Sequence, residues 1–201
     1  MRLQRLVRMK TIATHVLRRT VVEAYLRYDA AKKSEPLPNS DVWDWTNPDA
    51  IDQGLTIAGY KSGILAGFLE WDQVELTVTD FRACAVVETI SRSLNGPRNI
   101  EGLEKAQLLK DWTPRGGRAT WSDNIDAGRP FTVDEPFILR PTVPSESPAR
   151  WYLEDGSGRA TAIVAAVDHY DKDAFVAYGF VGLRADPSSR FMKDHFPRFI
   201  R

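Results

Sequence analysis

The sequence predicts an α+β fold rather than a doubly wound parallel sheet. Two observations carry this. Several short stretches alternate apolar and polar residues, while others repeat apolar residues every three or four positions. These stretches are mixed along the chain without the regular strand–helix alternation that builds a doubly wound parallel sheet.

The elements follow in order. Through "LVRMKTIATHVLRRTVVEAYLRY", Leu6, Ala13, Val16, Leu17, Val21, Ala24 and Tyr28 recur at roughly helical spacing, which predicts an amphipathic helix broken near its start. "SEPLPNSDVWDWTNPDA" holds three prolines and reads as a loop anchored by two tryptophans. "AIDQGLTIAGYKSGILAGFLEW" is interrupted by glycines and predicts one or two short helices. "QVELTVTDF" alternates Val74, Leu76 and Val78 with polar residues, a strand. "FRACAVVETISRSL" reads as a helix stopped at "NGP", and "NIEGLEKAQLLKDW" as a second short helix. "TPRGGRATWSDNIDAGRP" is a long polar loop. "EPFILRP" is a short apolar strand, Trp151 to Asp155 another, and Arg159 to Val167 the start of a buried helix. "AFVAYGFVGL" is the closing strand, followed by a tail with aromatic anchors.

Composition narrows the function classes. The chain has 201 residues, 43% of them hydrophobic, enough to bury a core. Lysine and arginine together match the 27 acids, so a uniformly basic nucleic-acid coat is excluded, though a local basic groove is not. The single cysteine, Cys84, can form neither an internal disulfide nor a cysteine-based zinc cluster and is most simply a small core residue. No apolar run is long enough to span a membrane, so the expected location is the cytoplasm. Charge is uneven: residues 1–33 carry nine cations and two acids, and residues 34–80 carry nine acids and one lysine. The basic helix either lies exposed beside an acidic surface or docks on DNA or on the anionic inner face of a membrane.

Function is most legible at "WYLEDGSGRATAIVAAV", a strand–turn–helix junction. A helix N-terminus presents unpaired backbone N–H groups and the positive end of a dipole, and so attracts anions. Gly156 and Gly158 let the backbone approach a ligand, while Ser157 adds a hydroxyl donor or simply caps the helix. Arg159 offers a planar fork suited to phosphate. Glu154 and Asp155 are candidate ligands of a divalent cation such as magnesium, or candidates to orient water. The plainer account has an ordinary Asp-Gly turn, an N-cap and a surface ion pair. There is no GxxxxGK[ST] run, so an ordinary P-loop is excluded.

The order "EPFILRP", spacer, "WYLEDGSGRATAIVAA", then "FVAYGFVGL" resembles the ParB/sulfiredoxin superfamily over roughly residues 74–185. Gly156-Ser157-Gly158-Arg159 stands at that superfamily's Gly-x-x-Arg turn, preceded by Asp155 at its common acid. The resemblance implies a compact mixed sheet with flanking helices, ATP or CTP bound at this turn and a domain over 71–201, with residues 1–70 as an N-terminal helical extension packed on it. Within the superfamily the chain is similar to plasmid-encoded fertility-inhibition proteins that block T-DNA transfer through a type IV secretion system. That likeness implies ATP hydrolysis and DNA cleavage, with Glu154, Asp155 and Arg159 catalytic. The Cys-His of sulfiredoxins is replaced here by Ser157-Gly158, which removes sulfinic-acid reduction, and only the last arginine of the ParB Glu-Arg-Arg survives. The alternative is a non-catalytic inhibitor that binds the secretion coupling protein or the substrate's docking surface, its nucleotide turn vestigial.

Other residues enter as secondary candidates. Glu135 and Arg140 border the strand before the junction, close to bound phosphates or as an edge salt bridge. Arg115 and Arg118 stand in the long loop, as contacts to a nucleic-acid backbone or as solvated side chains. Trp112 and Trp121 flank that loop, to stack on bases or to anchor it. Asp168 and His169 are metal-ligand types placed where a helix should end.

Overall fold

Six strands form one mixed sheet in the order β1-β2-β6-β4-β5-β3, where β1 is Lys10–Leu17, β2 Phe68–Thr77, β3 Cys84–Val86, β4 Phe137–Pro141, β5 Trp151–Asp155 and β6 Val176–Ala185. The α-helices whose bounds are described from end to end are α1 Arg18–Lys33, α2 Pro48–Ile57, α3 Gly63–Gly67, α4 Val78–Arg82 and α5 Arg190–His195, and further helical residues follow β5. This computed structural model describes residues 9–59, 63–86, 136–142, 150–157, 159–160, 163–164, 167 and 176–200. The α+β class is as expected. The chain divides into two compact units, one of Ile12–Gln73 with Phe180–Arg201, the other of Met1–Thr11 with Val74–Gly179.

The first unit corrects the N-terminal helix. Residues 10–17 are a strand, and the helix starts only at Arg18, with Leu17 as an uncapped N-cap in extended backbone. The reason lies in Thr11, Ile12, Thr14 and Val16: four branched side chains in six residues favour extended backbone, which the apolar spacing conceals. His15 interrupts the strand with φ 56° and sets its ring against Glu70, which also receives Arg184. From Arg18 the chain stays helical to Lys33. It stops at Ser34, left-handed at φ 55°, where Ser34 and Glu35 N–H groups close onto the Ala31 and Ala30 carbonyls. Asn47 then caps α2 by accepting from Asp49 and Ala50 N–H, with Pro48 pre-set at the first helical position.

The core of this unit is Val21, Val22, Leu26, Ile51, Leu55, Leu65, Phe68 and Trp71, all buried. Helix α3 packs on α1, α2 and α5. A Cβ at Gly63 would overlap the Phe191 ring, so glycine there sets how closely the C-terminal segment approaches. That segment is also locked by charge: buried Arg18 donates to Asp186 at 2.8 Å and to the Ala66 carbonyl at 2.7 Å. The tail with aromatic anchors is thus a helix and a closing turn, with the Phe196 and Phe199 rings stacked 5.7 Å apart.

The second unit corrects two more expectations. Strand β2 ends at Thr77, one residue short of the alternating Val78, because Thr77 and Asp80 form a reciprocal capping box that opens α4. In it the Asp80 N–H donates to the Thr77 hydroxyl oxygen at 3.4 Å and the Thr77 N–H donates to the Asp80 carboxylate at 2.8 Å. Residues Cys84–Val86, expected in a helix, are a strand parallel to β5 with Cys84 opposite Trp151 and Val86 opposite Leu153. Buried pairing with β5 outweighs the local pattern of "RACAVV". Strands β4 and β5 are antiparallel, with an irregularity between Ile138 and Leu139. Phe81 packs on Phe137, ring centroids 4.7 Å apart, over a core with Leu139, Leu153, Ile163 and Val164.

Candidate functional site

The junction after β5 has the predicted strand–turn–helix form. Asp155 ends the strand, Gly156 turns the chain at φ 99°, and residues 157, 159, 160, 163, 164 and 167 are helical. The first helical bond runs from Ala160 N–H to the Gly156 carbonyl at 2.8 Å. Glycine is required twice over at 156: the backbone is left-handed, and a Cβ would run into the Phe137 ring.

Arg159 does not face solvent. It is 1% exposed, and its guanidinium lies 4.4 Å over the Phe137 ring while donating to the Pro136 carbonyl at 3.2 Å and to Asp155 at 3.1 Å. One fork therefore joins the start of β4, the end of β5 and the helix after it. Ser157 is buried as well, while the Asp155 side chain is 41% exposed.

The two candidate acids are held apart in function. Successive strand residues point to opposite faces of a sheet. Asp155 pairs with Arg159, whereas Glu154 pairs with Nε of Arg140, itself buried and stacked 4.1 Å over Tyr152. Arg140 also donates to the Pro141 carbonyl at 3.1 Å. Arg140 thus pairs with Glu154 across the adjacent strands β4 and β5, while Glu135, named with Arg140 for an edge salt bridge, lies outside the described residues. Among the described residues, no group of three or more histidines, cysteines or acids is gathered for a metal ion. Gly158, Glu135, Arg115 and Arg118, with Trp112, Trp121, Asp168 and His169, lie outside the described residues.

Five cations of the N-terminal region are engaged with acids. Lys10 pairs with Glu75 at 3.0 Å, Arg18 with Asp186, Arg19 with Glu23 and Asp41, Arg27 with Glu23, and Lys33 with Asp29. Sequence reasoning missed these pairs because three of the acids, Asp41, Glu75 and Asp186, lie far along the chain. Glu23 and Asp29, at i+4 and i−4 spacing on the helix itself, were the available signal.

Cys84 is fully buried, and that burial, with the charge of Asp80 second, pushes its thiol up to about 12. Native protein at pH 8 is therefore expected to resist thiol reagents over hours, while urea-unfolded protein reacts at once. Rapid labelling of the native chain would contradict the buried placement. No helix among the described residues is long and apolar enough to cross a membrane. Comparison of the chain with protein-family models, with curated proteins and with solved structures returns no match.

Proposed function

We propose that the chain is a bacterial inhibitor of conjugative and T-DNA transfer through a type IV secretion system that acts by contact, the corner at Gly156 serving as part of its scaffold. The setting rests on the resemblance to the ParB/sulfiredoxin superfamily and, within it, to the fertility-inhibition protein Osa. The contact partner is the secretion coupling protein or the docked substrate complex. One observation favours contact over hydrolysis: the guanidinium that the resemblance assigns to phosphate is buried and occupied by Asp155, the Pro136 carbonyl and the Phe137 ring. A guanidinium buried over a ring, with one amino group already donating twice within the protein, has less left to offer a polyphosphate than an exposed fork.

A second reading keeps ATP, magnesium and DNA. Gly156 opens a helix from a strand at φ 99°, and the Asp155 carboxylate reaches solvent beside it. In that reading Glu154, Asp155 and Arg159 act in hydrolysis and cleavage of transferring DNA, and the amides of 156–159 cradle phosphate.

Titration with labelled ATP and magnesium separates the two, run beside transfer assays of Glu154→Gln and Asp155→Asn. The contact reading expects no saturable uptake and transfer inhibition within about twofold of wild type in both variants. Saturable uptake together with lost inhibition in either variant overturns it in favour of the enzyme.

A further inference from the structure

We propose that residues 37–45, strapped over α1 and continued by Ile57, form a docking surface for a cationic polypeptide segment bearing one or two large apolar side chains. The proposal deepens the contact reading and rests on it for its biological setting. All of its residues belong to the unit built from Ile12–Gln73 and Phe180–Arg201.

The shape comes first. Between α1 and the extended residues that follow it lies a groove of about 460 Å³, floored by Leu26 and rimmed by Leu37 and Pro38. That volume suits one or two bulky side chains. Leu37, on the groove, is 54% exposed, and beyond the groove Val42 is 78% and Ile57 80% exposed, three large apolar side chains left in water by this segment and the end of α2. Trp43 and Trp45 follow Val42 in the strap, rings 5.7 Å apart, with the Arg19 guanidinium 5.3 Å over Trp45. Trp43 lies against Gly54, and Ile57 follows one turn further along the same face of α2. Tryptophan and arginine beside exposed aliphatic groups is the composition of energetic centres in protein interfaces.

Charge selects the partner. Residues 34–59 carry five acids, Glu35, Asp41, Asp44, Asp49 and Asp52, and no lysine or arginine. The cations lining the groove are balanced within it: Arg19 donates to Glu23 at 2.7 Å and to Asp41 at 2.6 Å, and Arg27 to Glu23 at 3.5 Å. Two hydrogen bonds from Thr46 hold the Asp44 carboxyl below its usual range, so it stays ionised. With Asp41 set against Arg19, the groove itself is balanced, and the surplus acids of this stretch are Glu35, Asp44, Asp49 and Asp52, a net negative charge that favours a basic segment over nucleic acid and anionic lipid.

The surface is also preformed. Asn39 accepts from Asp41 N–H, Trp45 Nε1 donates to the Ser40 carbonyl, and Arg19 ties the strap to α1. Little ordering is left to oppose binding.

The test uses the full chain and two labelled synthetic peptides, each with leucines at three- and four-residue spacing, one filled in with lysines and the other with glutamates. Fluorescence anisotropy is expected to show saturable binding of the lysine peptide, weakened by raising salt from about 0.05 to about 0.5 M. Val42→Lys and Ile57→Lys should each weaken it about tenfold, through a lost apolar contact and an added like charge. Leu183→Ser, an exposed control on β6, should leave it unchanged. All three variants should unfold at the wild-type urea midpoint. Equal affinity of Val42→Lys and wild type overturns the proposal, as does equal or tighter binding of the glutamate peptide, of anionic vesicles or of duplex DNA. Self-association abolished by Val42→Lys, without peptide binding, assigns the surface to a second copy and overturns it too. The contact reading is judged separately, by transfer inhibition in the Glu154→Gln and Asp155→Asn variants.

Discussion

Asp186→Ala is expected to destabilise the protein by about 3–5 kcal/mol, read from urea denaturation at pH 7. Arg18 and Asp186 are both buried, 2.8 Å apart, and Arg18 also holds the Ala66 carbonyl and, at 3.2 Å, that of Trp45. Removing the carboxylate strands a guanidinium in the interior, and the desolvation of an unpaired ion dominates the cost. The Ser188 N–H and hydroxyl lose their acceptor as well. Replacing both partners with apolar residues, Arg18→Met with Asp186→Leu, should recover most of the loss, because no charge is then left buried. A loss under about 1 kcal/mol for Asp186→Ala would place this pair in water instead.

The same pair sets a pH dependence. Burial raises the Asp186 carboxyl, but hydrogen bonds from the Ser188 hydroxyl and N–H, and then Arg18, outweigh it, so the group titrates below its ordinary value. A depressed folded-state value stabilises the native state above the unfolded carboxyl's range, near about 4, and that contribution is lost as pH falls through the folded value. Wild-type stability is thus expected to hold above pH 5 and to fall below pH 4 more steeply than that of Asp186→Asn. Parallel profiles for the two proteins would remove Asp186 as the cause.

Arg159→Ala is expected to cost about 3–4 kcal/mol. The change deletes a fully buried side chain, leaves the Pro136 carbonyl without its donor and removes the stack on Phe137. Asp155 is partly exposed and can turn to water, so its lost ion pair adds little. Arg159→Lys should recover about half, since an ammonium restores charge but neither the fork nor the planar stack. Unchanged stability in Arg159→Ala, with nucleotide binding abolished, would instead assign the guanidinium to ligand and sink the scaffold reading.

The junction was legible because its signals are local. A glycine that must be left-handed, flanked by a strand-forming run and an alanine-rich run, announces strand, turn and helix from composition alone. Its use was not legible. Whether Arg159 meets a phosphate or a ring depends on Phe137, more than twenty positions away. The strand at Lys10–Leu17 was hidden for a related reason: three- and four-residue spacing outweighed four branched side chains in the reading. At Thr77, by contrast, the Thr-x-x-Asp cap that ends the strand is a local signal in the sequence.

By itself the sequence determined the α+β class, the strands at Phe137–Pro141, Trp151–Asp155 and Val176–Ala185, the turn at Gly156 and the burial of Cys84. These rest on residue propensity and short-range pattern, which act within one element. Only the tertiary structure decided where the charges go: Arg18 to Asp186, Arg140 to Glu154, Arg159 beneath solvent on Phe137. Charge pairing and burial are properties of distance in space, and the chain brings those partners together only when it folds.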